Sequence, residues 1–205
     1  YHILFAYIHK LKTGEGQYID VSLVDSILPW TVWEAAAYFG SGEVPVPSGS
    51  RHRRIAPYQA YQTKSGYILF GVVNEKLWTK FCTEVVQKEE WITDPRFSTG
   101  DARISNVEEL ERCIENVLKT EASEYWLEKL EKAQIPSGPI LTYDQVMENE
   151  QILHREMVVE YEHPVAGSMK TLGFPAKMSK SGPSFRRTAP TLGQHSEIIL
   201  KELLY

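Results

Sequence analysis

The basic run Arg51-His52-Arg53-Arg54 is the densest group of reactive side chains in the chain, and it follows a stretch rich in Pro, Gly and Ser, Gly40 to Ser50. A run of this kind either takes up phosphate groups or forms a solvated surface turn. His195, in Leu192-Gly-Gln-His-Ser196, is of the residue type most used for proton transfer, although its place at a helix start suits capping or orientation better. Asp20 lies on the polar side of an alternating run, and Asp25 stands three residues after Ser22, the spacing of a helix N-cap pair. His154 and His163 lack metal-ligand spacing. No zinc, P-loop, dinucleotide or Ser-His-Asp pattern is present.

These residues need elements to hold them. Leu4, Ile8 and Leu11 share one helical face, with Lys10 and Lys12 near the last turn and Gly14 as the stop. From Gln17 the period becomes two, with Ile19, Val21 and Leu23 on one side, which predicts a strand. Ile27 to Phe39 reads as a buried apolar helix closed by Gly40, with at most a kink at Pro29. After the Gly40–Ser50 loop, Tyr58–Thr63 and Tyr67–Val73 form a hairpin around Lys64-Ser65-Gly66, and Asn74 caps a helix to about Gln87. Two more helices are expected over 106–119 and 123–134, the first with Leu110, Cys113, Ile114, Val117 and Leu118 as its apolar stripe. Thr142 and Gln145 form a capping box for a helix to about His154. A strand pair over 157–163 and 168–173 and a final helix over 194–204 complete the pattern. Trp30, Trp33, Trp78 and Trp126 fall on helices as core or interface.

The string Thr13-Gly-Glu-Gly-Gln-Tyr-Ile-Asp-Val-Ser-Leu23 resembles a segment of the class III CoA-transferases. Pro57 to Trp78, Asp94-Pro-Arg-Phe97, Ile135-Pro-Ser-Gly-Pro-Ile140 and Ala189 to Leu203 resemble later landmarks of that family, in its order. The resemblance implies an α/β chain: residues 1–54 as part of a Rossmann-like large domain and linker, 55–146 as a smaller α+β domain, and 147–205 as the return to the large domain. It implies transfer of CoA between an acyl-CoA and a small carboxylic acid through an aspartyl-CoA intermediate, with the nucleophilic aspartate upstream of Tyr1. No residue of the chain then holds the catalytic place, and Asp20 and Asp25, the nearest carboxylates, belong to the strand and to the helix start. The chain alone is expected to be inactive. The family's glycine-rich lid corresponds to a stretch holding Gly49, Ser50, Arg51 and His52, with one glycine left where the family has several; Arg51 or His52 suits the pairing of an acyl carboxylate. The resemblance also implies an interlocked homodimer. Two readings stand beside it: an α-methylacyl-CoA racemase of the same superfamily, and a non-catalytic dimerisation piece.

Bulk properties agree with this. The 205 residues are 42% hydrophobic and 11% aromatic, enough for a real core. A net charge of −5 argues against general nucleic-acid binding. The sequence shows no membrane span or signal peptide, and Cys82 and Cys113 read as buried thiols or, by spacing alone, a disulfide. A cytoplasmic or organellar-matrix protein is expected, with no bound cofactor, no metal, and coenzyme A as substrate.

Overall fold

A computed structural model describes residues 1–204. The chain forms two compact units, Tyr1–Arg53 and a second beginning at Arg54.

In the first unit, α1 (His2–Thr13) ends at Gly14, whose φ of 79° allows its N–H to reach the Lys10 carbonyl. The strand expected from Gln17 is absent. Residues 15–22 have no regular secondary structure and pair with no described strand, because alternation encodes a pleated conformation and not the partner that would complete a ladder. Ser22 accepts the Asp25 N–H and opens α2 (Leu23–Ile27), as its spacing predicts. Pro29 then turns Leu28–Thr31 into a 3₁₀ segment, and α3 (Val32–Ser41) follows. This helix passes through Gly40 and stops at Gly42, the residue that takes the left-handed φ of 75°. The expected burial does not occur either. Trp30 and Trp33 are 84% and 85% exposed, since no described residue covers that face.

The second unit holds the core. β1 (Tyr58–Gln62) and β2 (Tyr67–Gly71) form the expected antiparallel hairpin, with Gln62 opposite Tyr67 and Tyr58 opposite Gly71. Gln59, Tyr61, Ile68 and Phe70 all face inward, as the period of two requires. A third strand, β3 (Ser137–Pro139), pairs with β2. Sequence reading missed it, because Ser-Gly-Pro has poor strand propensity and is placed by the ladder alone.

Asn74 caps α4 (Glu75–Lys80), which continues as a π-helical turn, Phe81–Val85. The wider turn brings Phe81, Cys82 and Val85 into the core together. Two short helices were also unforeseen, α5 (Glu90–Thr93) and α6 (Gly100–Ser105), each too short to show a period. α7 (Val107–Leu118) buries Leu110, Ile114 and Leu118, and α8 (Ser123–Lys132) buries Trp126 and Leu130. A ladder of rings crosses this core: Tyr61 on Phe70 at 4.7 Å, Phe70 on Phe81 at 5.3 Å, Phe81 on Trp78 at 5.8 Å, and Trp78 on Trp91 at 6.5 Å. Each large buried side chain contributes about 1.5–3 kcal/mol.

The capping box at Thr142 and Gln145 is present, but the helix breaks at Asn149 into α9 (Tyr143–Glu148) and α10 (Glu150–His154), because Asn149 is extended and caps the second piece. β4 (Val158–His163) pairs with β5 (Gly167–Leu172), and α11 (Ser196–Leu204) is the last element. No described residue after Ile135 is buried. Among the described residues no helix is long and apolar enough to cross a membrane.

Candidate functional site

The basic run ends a loop that leaves α3 at Gly42. Pro45 and Pro47 stiffen its first half by fixing φ. Ser48 to Arg51 then makes a tight turn, in which the Arg51 N–H donates to the Ser48 carbonyl at 3.3 Å and the Ser48 hydroxyl donates to the Arg51 carbonyl at 3.3 Å. Gly49 occupies the second position with φ of 64°, in the left-handed region where a side chain is strained. The one glycine left in this stretch therefore stands where the turn needs it.

Of the four residues proposed from the sequence, the turn gathers Gly49, Ser50 and Arg51, and His52 follows directly. Arg51 is half-buried, while Gly49, Ser50 and His52 are exposed. Arg53 was unforeseen as a contact residue. Its Nε lies 2.9 Å from Glu34 Oε2 on α3, and its Nη2 donates to the Val46 carbonyl at 2.9 Å. The carboxylate of Glu34 is thus engaged by a guanidinium. Asp25 lies in the first turn of α2 behind Ser22, and Asp20 is exposed on the unpaired segment.

His163 and His195 lie at a turn and at a helix start. His163 Nδ1 accepts the N–H groups of Val165 (3.1 Å) and Ala166 (3.0 Å), which closes the turn between β4 and β5. The carbonyl of His195 accepts from Ile199 at 3.0 Å at the start of α11, and Gln194, its neighbour, reaches back to the Thr191 N–H at 2.8 Å. Among the described residues no group of three His, Cys, Asp or Glu side chains is arranged to hold a metal ion. Cys82 and Cys113 are free thiols, and burial pushes that of Cys82 up to about 12, which removes it as a nucleophile near neutral pH.

In the second unit one charged side chain is buried, Arg103, at 2% exposure. Its Nε donates to the Ala56 carbonyl (2.9 Å) and its Nη1 to the Phe97 carbonyl (2.9 Å). Both Nη atoms engage the Glu75 carboxylate, at 3.1 and 2.8 Å. The guanidinium also stacks over Trp78 at 4.7 Å. Its hydrogen bonds hold the Glu75 carboxyl below its usual range. Each guanidinium nitrogen is thus hydrogen-bonded, and Arg103 holds Ala56, two residues before the hairpin begins at Tyr58. The Asp94-Pro-Arg-Phe97 landmark gains a physical meaning here. Asp94 Oδ1 accepts the Arg96 N–H at 2.9 Å, and the resulting turn buries Phe97.

The strings that carried the sequence resemblance are therefore elements of the fold: a helix stop and cap, a hairpin, a turn that buries Phe97, an edge strand and a C-terminal helix. Comparison with known proteins agrees. The chain is 34% identical over 202 residues to human succinyl-CoA:glutarate CoA-transferase, covering 98% of this chain and 46% of that protein. It is 29% identical over 230 residues to formyl-CoA:oxalate CoA-transferase of Shigella boydii, covering 54% of it. A crystal structure of a CAIB/BAIF family protein from Brucella suis superposes with a TM-score of 0.84 at 30% identity, over 98% of this chain and 52% of that one. The chain spans about half the length of the relatives it matches. The mixed α/β architecture is theirs, and residues 1–196 match the profile of CoA-transferase family III, so the chain belongs to that family.

Proposed function

We propose that the full-length protein is a CoA-transferase that moves CoA from an acyl-CoA thioester to a small carboxylic acid. The observation that carries this reading is the family match across residues 1–196. An aspartate upstream of Tyr1 attacks the donor carbonyl, breaking the C–S bond and giving a mixed anhydride and CoA thiolate. The thiolate opens the anhydride at the aspartyl carbonyl, releasing the donor acid and leaving aspartyl-CoA. The acceptor carboxylate attacks that thioester, and the thiolate released then takes the acceptor acyl group and frees the aspartate. Each step exchanges one activated acyl group for another, so a carboxylate suffices as nucleophile. Coenzyme A enters as substrate.

In this reading Gly49, Ser50, Arg51 and His52 form a lid over the reacting groups, and Arg51 pairs with the acceptor carboxylate. Residues 1–54 and 147–205 belong to the large domain and 55–146 to the small one, two chains interlock as a homodimer, and the free thiols suit the cytoplasm or an organelle matrix. The activities of these relatives direct the test: the full-length protein with succinyl-CoA and a panel of small carboxylic acids that includes glutarate and oxalate. Transfer to one of them supports the reading. No transfer, combined with α-proton exchange of a 2-methylacyl-CoA in deuterated water, replaces it with a racemase. Residues 1–205 alone are expected to give no turnover above background.

A further inference from the structure

We propose that Arg53 is a positioning residue, a latch that closes the base of the 46–53 loop so that its tip moves as one piece. This rests on the lid reading above. One guanidinium holds three points of the chain: its own backbone, the Val46 carbonyl at 2.9 Å, and Glu34 Oε2 at 2.9 Å in the first turn of α3. The planar fork of arginine allows this, with separate N–H groups directed at the carbonyl and at the carboxylate. Within the ring so closed, the tip has its own closure, the two hydrogen bonds between Ser48 and Arg51 around Gly49. Pro47 restricts the connection on one side.

The loop therefore has a base tied through Arg53 to Val46 and to α3, and a tip drawn together by the Ser48–Arg51 pair. A lid of this build closes over a reactive thioester without itself becoming disordered, and it keeps water away. The Arg53–Glu34 bridge is partly open to solvent, with side chains 37% and 42% exposed. A pair so placed is weakened by salt and readily broken and remade, which suits a latch.

The test uses the full-length protein and its Arg53→Ala, Arg53→Lys and Glu34→Gln variants. Hydrogen exchange reads the latch without reference to activity. The Arg51 amide should lose protection several-fold in Arg53→Ala and less in Arg53→Lys, whose single ammonium cannot copy the fork. The Gly42 amide, which caps α3, should be unchanged and so reports intact folding. Activity reads its purpose. Arg53→Ala should raise several-fold the share of acyl-CoA lost to water, in which the C–S bond breaks to give free acid and CoA thiol, relative to the share transferred. High salt should move wild type in the same direction. An unchanged Arg51 amide overturns the latch. Faster exchange with an unchanged ratio of hydrolysis to transfer overturns its role in the lid. If wild type transfers nothing to any acid, the functional reading fails, and the exchange result still judges the latch.

Discussion

Arg103 and Arg51 show how differently two arginines are used. Arg103 is buried with each guanidinium nitrogen hydrogen-bonded, so Arg103→Ala strands the carbonyls of Ala56 and Phe97 and leaves a cavity beside Trp78. The expected loss is about 3 kcal/mol, read by urea denaturation followed by tryptophan fluorescence. Its partner Glu75 gives a pH signature. The carboxyl titrates lower folded than unfolded, so its contribution is fully present above its ordinary 4.5 and is lost as pH falls through the lower folded value. Glu75→Gln should flatten that acid limb of the stability curve. Arg51, in the proposed lid, should act through uniform binding. Arg51→Ala in the full-length protein is expected to raise the acceptor KM more than it lowers kcat, and unchanged kinetics would return the basic run to the solvated surface. Arg51 stands out in the sequence as a candidate because charge runs are visible there. Arg103 does not: a lone arginine in Asp101-Ala-Arg-Ile104 gives no sign that three separate segments converge on it.

At the scale of elements, the hairpin turn does more than reverse the chain. Ser65 Oγ accepts the Ser123 N–H at 2.9 Å and Thr63 Oγ1 lies 2.8 Å from Ser123 Oγ, so the turn caps α8, whose own N-cap residue, Ala122, supplies no side-chain bond. Ser65→Ala should therefore cost about 1 kcal/mol, the usual value of an N-cap, measured by the same denaturation. The hairpin, α7, α8 and the capping box could be read from the sequence, since period, cap and turn chemistry agree there over several residues. The strand expected at residue 17 fails for the opposite reason. Its pattern is local, while a strand exists only with a neighbour. Likewise β3 has a neighbour and no pattern. The helix ends displaced to Gly42 and broken at Asn149 follow from backbone conformations that the residue types permit without requiring.

Across the whole molecule, burial is concentrated between Ala56 and Ile135, while the first unit contains no buried residue. Apolar side chains of the first unit such as Ile3, Leu4, Trp30 and Trp33, and Ile198 and Leu203 on α11, are exposed, and at about 25 cal/mol per Å² their cover is a considerable driving force. In the proposed interlocked dimer that cover comes from the rest of the protein and a second copy. Equilibrium sedimentation of the full-length protein should therefore give a dimer at micromolar concentration, and a stable monomer would sink this part of the proposal.

The same distribution of burial makes the chain its own optical probe. Its five tryptophans divide cleanly, with Trp30 and Trp33 in water and Trp78, Trp91 and Trp126 inside the second unit. A collisional quencher such as acrylamide should silence the first pair and spare the other three. Any surface that docks on the first unit would then be seen as a blue shift and shielding of the water-facing pair alone, so assembly and unfolding can be followed by separate colours of one emission spectrum.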